Sequence, residues 1–248
     1  MAVKSGACVM NAHQVQVLGP PDASHFPAER SSVFDSLKLR LAQISEMARS
    51  NGWMSVVKEM IFFNRIAIVV EKDLSEIVEH PELLQALKMT VIQIDTEMLS
   101  SGNYYFAVRS RQLKAHHYLE VGYGGFALVR DQKVIGDTWY VPSKATDNAR
   151  LLHKDLGTFG FRSWSANHVY TFDIFVAPEE RKGKIAPAFQ NVAMLLLRAK
   201  GYTKAFGFYW ADNIPAHWCT RVTNKWKKLR SVSVSRVVLL QKALARLE

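Results

Sequence analysis

Cysteine is scarce in this sequence of 248 residues, which has only Cys8 and Cys219. Two cysteines so far apart exclude a disulfide framework and a cysteine-based zinc motif, and they favour a reducing compartment. The eight histidines form no His-Glu-x-x-His motif and no cluster with the cysteines, so we expect no metal site. No apolar run approaches the roughly 20 residues that span a bilayer, and the N-terminus lacks the apolar core of a signal peptide. These absences predict a cytoplasmic protein without a membrane span.

Two common nucleotide-binding motifs are also missing. Neither Gly-x-Gly-x-x-Gly nor Gly-x-x-x-x-Gly-Lys-Ser/Thr occurs, which argues against Rossmann and P-loop folds. Acidic residues are outnumbered, with 22 Asp and Glu against 32 Lys and Arg, a net charge of +10. Such an excess favours an anionic partner, and coenzyme A, nucleic acid and an acidic membrane surface all qualify. The densest basic cluster, residues 225–230, is more often a solvated face than a nucleic-acid contact.

The hydrophobic fraction of 48% is ample for a buried core. We divide the chain into an N-terminal arm over residues 1–30, a helical and strand portion of the fold over 31–94, and a cofactor-binding core over 95–248. Apolar residues at helical spacing predict a helix over 32–49 and a second short helix over 53–63.

Further elements follow along the chain. Short β-branched runs predict strands over 65–71 and 90–94. A longer helical pattern covers 96–119. The polar turn at 131–133 between two apolar segments then predicts a hairpin over 126–141.

The most informative stretch is residues 168–213. Residues 168–176 alternate in the manner of a strand, with Tyr170, Phe172, Ile174 and Val176 predicted on one face. A basic loop over residues 179–186 follows, and an apolar helix is predicted over 186–200. Free backbone N–H groups at a helix start, flanked by cations and glycine, suit a phosphate. The order strand, basic loop, helix, strand therefore predicts an anion-binding site.

This stretch resembles the acetyl-coenzyme A motif of the GCN5-related N-acetyltransferase superfamily. The family pattern is a strand ending in Val-x-Pro, then Arg/Gln-x-x-Gly-x-Gly/Ala, a helix, a strand, and an Asn that begins the next helix. The positions that match in kind are Val176, Pro178, Arg181, Gly183, Ala186 and Asn213. Lys182 and Lys184 stand where the family has glycines, which restricts how closely the backbone can wrap a phosphate.

The resemblance implies an α/β fold with a mixed, twisted central sheet whose splayed strands are flanked by helices, here with an N-terminal helical extension. It also implies acetyl-CoA or another acyl-CoA as cosubstrate, with its thioester between two splayed strands. The cofactor contacts that it implies are Phe175, Val176, Arg181, Lys182, Gly183, Lys184, Ile185, Ala186 and Asn213. For Asn213, an N-cap role is an alternative that is compatible with binding.

Direct acyl transfer to an amine needs a neutral amine, a donor for the oxyanion and a proton source for the thiolate. The backbone N–H of Val176 is the expected oxyanion donor. Asp173 is a candidate base whose burial is expected to raise its pKa, or it only hydrogen-bonds nearby backbone, and Glu120 is a second candidate base. The family often has a Tyr acid seven residues after the Asn, but here that position is Thr220, so Tyr209 is the candidate acid.

The expected function is acyl-CoA-dependent N-acyltransfer, with an acetyl group moving to a primary amine of a small molecule or amino sugar. One alternative is a coenzyme-binding module that has lost catalysis, favoured by Thr220 and the loop lysines. A second is an aminoacyl-tRNA-dependent transferase on a related fold, which would also use a basic surface. The expected partners are acyl-CoA and a small amine, with a homodimer left open and nucleic acid not expected.

Overall fold

A computed structural model describes residues 62–78, 82–141, 159, 165–181, 183–237 and 246–247. The predicted arm over 1–30 and the predicted helix over 32–49 lie outside these ranges, and so does Lys182. The predicted helix over 53–63 also lies outside them except for its last two residues. Those two, Phe62 and Phe63, belong to a strand, so that end of the prediction is wrong.

The described chain alternates strands with short helices. Its strands are β1 Phe62–Asp73, β2 Thr90–Ile94, β3 Tyr105–Phe106, β4 Gly124–Arg130, β5 Lys133–Val141, β6 His168–Val176, β7 Lys204–Trp210, β8 Lys227–Val237 and β9 Arg246–Leu247. Its helices are α1 Glu82–Ala86, α2 Thr96–Ser100, α3 Arg109–Glu120, α4 Ile185–Ala199 and α5 Ile214–His217. One-turn 3₁₀ helices cover Leu74–Glu76 and Pro178–Glu180, and a π-helical turn over Trp218–Thr223 continues α5.

The nine strands form one mixed sheet in the order β2-β4-β5-β6-β7-β1-β8-β9, with β3 paired to β5 outside this path. Strands β4 and β5 form the predicted hairpin, and β6 pairs antiparallel with β5. Strand β7 runs parallel to β6, which requires the crossover that α4 supplies. The sheet thus confirms the predicted mixed α/β class.

Helices cover both faces of the sheet. Helices α1 and α4 pack on one face, where Leu84, Phe189 and Leu197 join a core with the strand residues Val169 and Val176. Helices α2 and α3 contribute Met98 and Ala115 to a second core, together with Trp139 and Tyr170. We call the face of the sheet covered by α1 and α4 the α4 face, and the face covered by α2 and α3 the α3 face.

Local sequence explains where α4 begins and ends. Pro187 lies in the first turn, where its missing N–H removes no helical hydrogen bond. Gly201 follows the helix at a φ of +88°, the left-handed conformation that ends many helices. The predicted bounds of 186–200 differ from the observed ones by a single residue.

The single helix predicted over 96–119 is wrong. The chain forms α2, a turn, β3 and then α3. Gly102 in the turn has a φ of +68°. A right-handed helix cannot continue through this left-handed conformation, which glycine adopts without strain. Asp95 caps α2 by accepting a hydrogen bond from the backbone N–H of Met98 at 2.7 Å.

Candidate active site

Strands β6 and β7 pair over a short distance and then part. Their parallel register joins His168 to Lys204, Val169 to Ala205 and Tyr170 to Phe206, and it ends there. Just beyond, the Thr171 hydroxyl donates to the Phe206 carbonyl oxygen at 3.1 Å. The remaining six residues of β6 and four of β7 continue without pairing to each other, so a gap opens in the middle of the sheet.

A β-bulge interrupts β6 inside this gap. Asp137 of β5 opposes Phe175, while Trp139 opposes Phe172. One residue of β5 therefore faces two residues of β6, Asp173 and Ile174, and Asp173 adopts a left-handed φ of +54°. The extra residue switches the faces of the strand.

The predicted alternation is wrong as a consequence. Tyr170 lies in the core of the α3 face and Val176 in the core of the α4 face, although the strict period of two placed them together. A strand of uniform pleat keeps residues six apart on one face, and the inserted bulge residue removes that relation.

The backbone of Val176 faces the gap. The next residue, Ala177, donates its backbone N–H to the carbonyl oxygen of Ile135 on β5 at 2.7 Å. Because alternate peptide groups of a strand point to opposite sides, the N–H and C=O of Val176 point away from β5. Arg181 confirms the direction, since its Nε donates to the Val176 carbonyl oxygen at 2.7 Å.

The basic loop leads from β6 into the start of α4. Gly183 has a φ of +61°, and Lys184 occupies the N-cap position without a side-chain cap. The first turn of α4 carries no acidic residue that would offset the positive end of the helix dipole, and Glu179 and Glu180 of the preceding turn pair with Lys133 and Arg130. Arg181, Gly183 and Lys184 are exposed, Ala186 is half-buried and Ile185 is buried. The loop and helix start present N–H groups and cations to solvent together.

Asn213 begins α5 at the end of β7. Its side-chain oxygen accepts a hydrogen bond from the Ala216 N–H at 3.1 Å, which confirms the N-cap interpretation. The residue is exposed. It therefore presents its amide nitrogen to solvent beyond the open end of β7.

Asp173 sits in a cluster of two acids and two bases. Its carboxylate accepts from Arg111 Nη1 at 3.0 Å and from Lys114 Nζ at 2.8 Å, both on α3. Burial alone raises the pKa of Asp173, but the charges and hydrogen bonds of Arg111 and Lys114 outweigh it and hold the pKa below its ordinary value. The expectation of a raised pKa is thus wrong. The bulge carboxylate is ionised and engaged on both oxygens.

Arg111 also holds a second carboxylate. Its Nε donates to Asp137 Oδ2 at 2.9 Å and its Nη2 to Oδ1, in the bidentate arrangement typical of guanidinium and carboxylate. Trp139 Nε1 donates to the same Oδ1 at 2.7 Å. Only 8% of the Arg111 side chain and 2% of the Asp137 side chain are exposed. Arg111, Lys114 and Asp137 escaped the sequence analysis, because no motif marks a pairing between helix and strand over 26 residues.

Tyr209 lies on β7 beyond the point where β6 departs. Its hydroxyl is 2.9 Å from Nδ1 of His217 on α5. Burial raises the pKa of Tyr209, and the charge of Arg221 offsets part of that effect. Thr220, in the position of the family's tyrosine, is buried.

Glu120 is the exposed last residue of α3. In the part of the chain that the structure describes, no hydrogen bond or ion pair joins it to Asp173 or Tyr209. The same residues contain no group of three or more His, Cys, Asp or Glu side chains arranged to hold a metal ion. No helix among them is long and apolar enough to cross a membrane.

No protein-family model and no curated protein sequence matches this chain. Solved structures do match. The glucosamine N-acetyltransferase region of a fungal multi-domain GH3 β-N-acetylglucosaminidase, described as GCN5-related, superposes with a TM-score of 0.50 at 16% sequence identity, over 76% of this chain and 23% of that one. This chain has the GCN5-related N-acetyltransferase fold.

Other members of this fold match at lower scores. A GCN5-related N-acetyltransferase from Kribbella flavida has a TM-score of 0.41 and 11% identity over 75% of this chain and 63% of that one. A GCN5-related N-acetyltransferase-like protein from Streptococcus suis has a TM-score of 0.42 and 10% identity over 75% and 68%. This chain covers 23% of the fungal protein and 63% of the Kribbella flavida protein, which is less than two thirds of each. At such identities the likeness concerns the GCN5-related N-acetyltransferase fold alone.

Proposed function

We propose that this protein is an acyl-CoA-dependent N-acyltransferase that moves an acetyl group to a primary amine of a small molecule or amino sugar. The observation that carries the proposal is the open side of β6. There the peptide group of Val176 faces an unpaired gap, next to a helix start that offers N–H groups and cations. A thioester and a diphosphate are the two ends of coenzyme A that these features suit.

The donor site of this proposal follows the gap and the loop. The backbone of Phe175 and Val176 binds the pantetheine arm, as a neighbouring strand would. The diphosphate lies against residues 181–186, where Arg181, Lys182 and Lys184 supply charge and Ile185 and Ala186 supply backbone N–H groups. Asn213 contacts the sulphur end through its amide nitrogen while its oxygen keeps the cap of α5.

Acyl-CoA supplies an acyl group activated as a thioester. A neutral amine bonds to the carbonyl carbon, and the Val176 N–H donates to the oxygen that gains negative charge. The carbon–sulphur bond then breaks, and Tyr209 gives its hydroxyl proton to the departing sulphur. The amine nitrogen loses one of its protons to water as the amide forms, and His217, which is hydrogen-bonded to Tyr209, passes a proton from water back to the Tyr209 oxygen. Asp173 takes no proton in this scheme because both of its oxygens already bind cations.

One specific observation favours a second candidate, a coenzyme-binding module without catalysis. Thr220 is buried where the family has its general acid, so Tyr209 has to supply the proton from another element. Binding and turnover measured separately distinguish these two candidates.

Two measurements test the proposal. A thermal-shift screen against acetyl-CoA, coenzyme A and longer acyl forms detects binding, because a ligand that binds only the folded state raises Tm. Release of free coenzyme A on mixing acetyl-CoA with a panel of small amines and amino sugars detects transfer. We expect both signals. A Tm shift without coenzyme A release over the whole panel supports the coenzyme-binding module without catalysis. The absence of a Tm shift with every one of these ligands overturns both candidates.

A further inference from the structure

We propose that Arg111 is a positioning residue for acyl transfer, which fixes the bulge of β6 and thereby aims the Val176 N–H into the gap. The inference rests on the proposed function. It concerns a guanidinium on α3, outside the segment that binds the donor.

Arg111 is placed to connect three parts of the molecule. It extends from α3, binds the Asp137 carboxylate of β5 through two nitrogens, and binds the Asp173 carboxylate of β6 through Nη1. Its Nη2 also lies 3.3 Å from the main-chain oxygen of Asp173. One side chain therefore holds both the side chain and the backbone of the bulge residue against the neighbouring strand.

The bulge requires such a hold. A left-handed φ is strained for an L residue, although Asp is among the residues that adopt it most readily. The extra residue also leaves the ladder with β5. On the β7 side, beyond Phe206, no ladder replaces it. The contacts with Arg111 and Lys114 compensate for both losses.

The effect reaches the reacting end of β6 through Phe175. The guanidinium carbon of Arg111 lies 4.7 Å from the centre of the Phe175 ring, and that of Arg181 lies 5.6 Å from it. Arg181 in turn donates to the Val176 carbonyl oxygen. The aromatic ring therefore carries a guanidinium from α3 and a second one from the basic loop, within cation–π range. A shift of Arg111 is transmitted to the peptide group of Val176.

Charge balance explains why the cluster persists in a poorly exposed place. Arg111 and Lys114 both bind Asp173, and Arg111 also binds Asp137, so two cations face two carboxyl groups. Removing Arg111 altogether leaves the Asp137 carboxyl group without its cation partner and with 2% of its side chain exposed, which is strongly destabilising. A useful test therefore changes the geometry and keeps most of the charge.

Two variants are suitable, one that changes the geometry and keeps the cation, and one that removes the Asp173 charge at constant size. Arg111→Lys keeps a cation but lacks the planar fork that binds two carboxylates and stacks on an aromatic ring. Asp173→Asn keeps the size of the bulge residue and its tolerance of a positive φ, so it weakens the same contact with Arg111 from the other partner without changing Arg111. Arg230→Lys is the matched control, because Arg230 is a half-buried arginine on β8, three strands away from β6.

Each variant is assayed for kcat with acetyl-CoA and an amine acceptor, for Kd of coenzyme A by calorimetry, and for the amide NMR signal of Val176. We expect kcat to fall about 10- to 100-fold in Arg111→Lys and Asp173→Asn, in line with the cost of misplaced reacting groups. Kd should change less than threefold, and the Val176 signal should move in both variants but not in the control.

Three results overturn the inference. They are an unmoved Val176 signal in both variants, an equal fall of kcat in Arg230→Lys, and a loss in Asp173→Asn that removes the acid limb of the pH–rate profile, as loss of a general base would. If the unmodified protein neither binds coenzyme A nor releases it, the proposed function fails instead. In that case the Val176 signal still shows whether Arg111 sets the backbone.

Discussion

The Tyr209 hydroxyl and Nδ1 of His217 lie 2.9 Å apart, and they join the end of β7 to α5. Tyr209 is 7% exposed, whereas His217 is exposed to solvent. In the proposed mechanism, this contact gives the phenol a route for its proton from water through the imidazole.

We predict that Tyr209→Phe lowers kcat about 100-fold or more and leaves the Kd of coenzyme A unchanged, because general acid catalysis contributes about 10²–10⁴. Coenzyme A release measures kcat, and calorimetry measures Kd. Tyr105→Phe, an exposed tyrosine on β3, serves as the control. Equal kcat in Tyr209→Phe and the unmodified protein would show that solvent protonates the thiolate.

Two variants of Asn213 distinguish its role as the N-cap of α5 from the proposed contact with coenzyme A. Asn213→Ser keeps an N-cap oxygen, so the free energy of unfolding should stay nearly constant, while Asn213→Ala should lose about 1 kcal/mol. Both variants remove the amide nitrogen and should raise the Kd of coenzyme A about equally. Chemical denaturation and calorimetry provide the two values. If only Asn213→Ala binds more weakly, the residue acts through α5 and not by contact.

The lowered pKa of Asp173 predicts a pH dependence of stability. A carboxylate with a depressed folded-state pKa stabilises the fold above its unfolded pKa near 3.8, and this contribution disappears as the pH falls through the lower folded value. Between about pH 5 and the acid limit of folding, the unmodified protein should therefore lose more stability than Asp173→Asn, by up to about 1.4 kcal/mol per pH unit. Urea unfolding at stepped pH measures the difference. Parallel curves for the two proteins would mean that the carboxylate is not held by its cations.

Gly136 leaves no room for a side chain beside the bulge. A Cβ on Gly136 would lie 2.8 Å from the Phe175 carbonyl oxygen, so Gly136→Ala should destabilise the fold by about 1–3 kcal/mol, as overpacking does. Gly102→Asn is the control. Its Cβ meets nothing within 4 Å, and Asn tolerates the left-handed φ of that turn. Thermal unfolding of both variants checks the prediction, which a Tm for Gly136→Ala equal to that of Gly102→Asn would contradict.

The sequence predicted the segment from β6 to α5 closely. Its signals are local: apolar runs for the extents of the strands, Pro187 and Gly201 at the helix ends, and Asn213 two residues before a proline. The alternation predicted for β6 fails at the bulge. Such signals depend on neighbours in the chain, so one sequence is sufficient to recognise them. The candidate donor site followed from the same segment, because a loop and a helix start form one continuous piece of chain.

The electrostatic cluster could not be predicted in the same way. Asp173 looked like an isolated acid in a strand, since nothing in the sequence signals a bulge or a partner 62 residues earlier. Burial alone would have raised its pKa, and the sign reversed only because α3 brings Arg111 and Lys114 to it. Long-range pairings of this kind depend on how α3 packs on β5 and β6, which no local pattern encodes.

The sheet has two parts that meet at β6 and β7, one built on the β4–β5 hairpin and one on β1 with β8. Only three residue pairs among the described strands join the two parts. A ligand whose amide groups bond to the free margin of β6 and whose far end rests on α4 would act as a missing strand. Binding of such a ligand would then stabilise the contact between the two parts of the sheet, including strands far from the bound thioester.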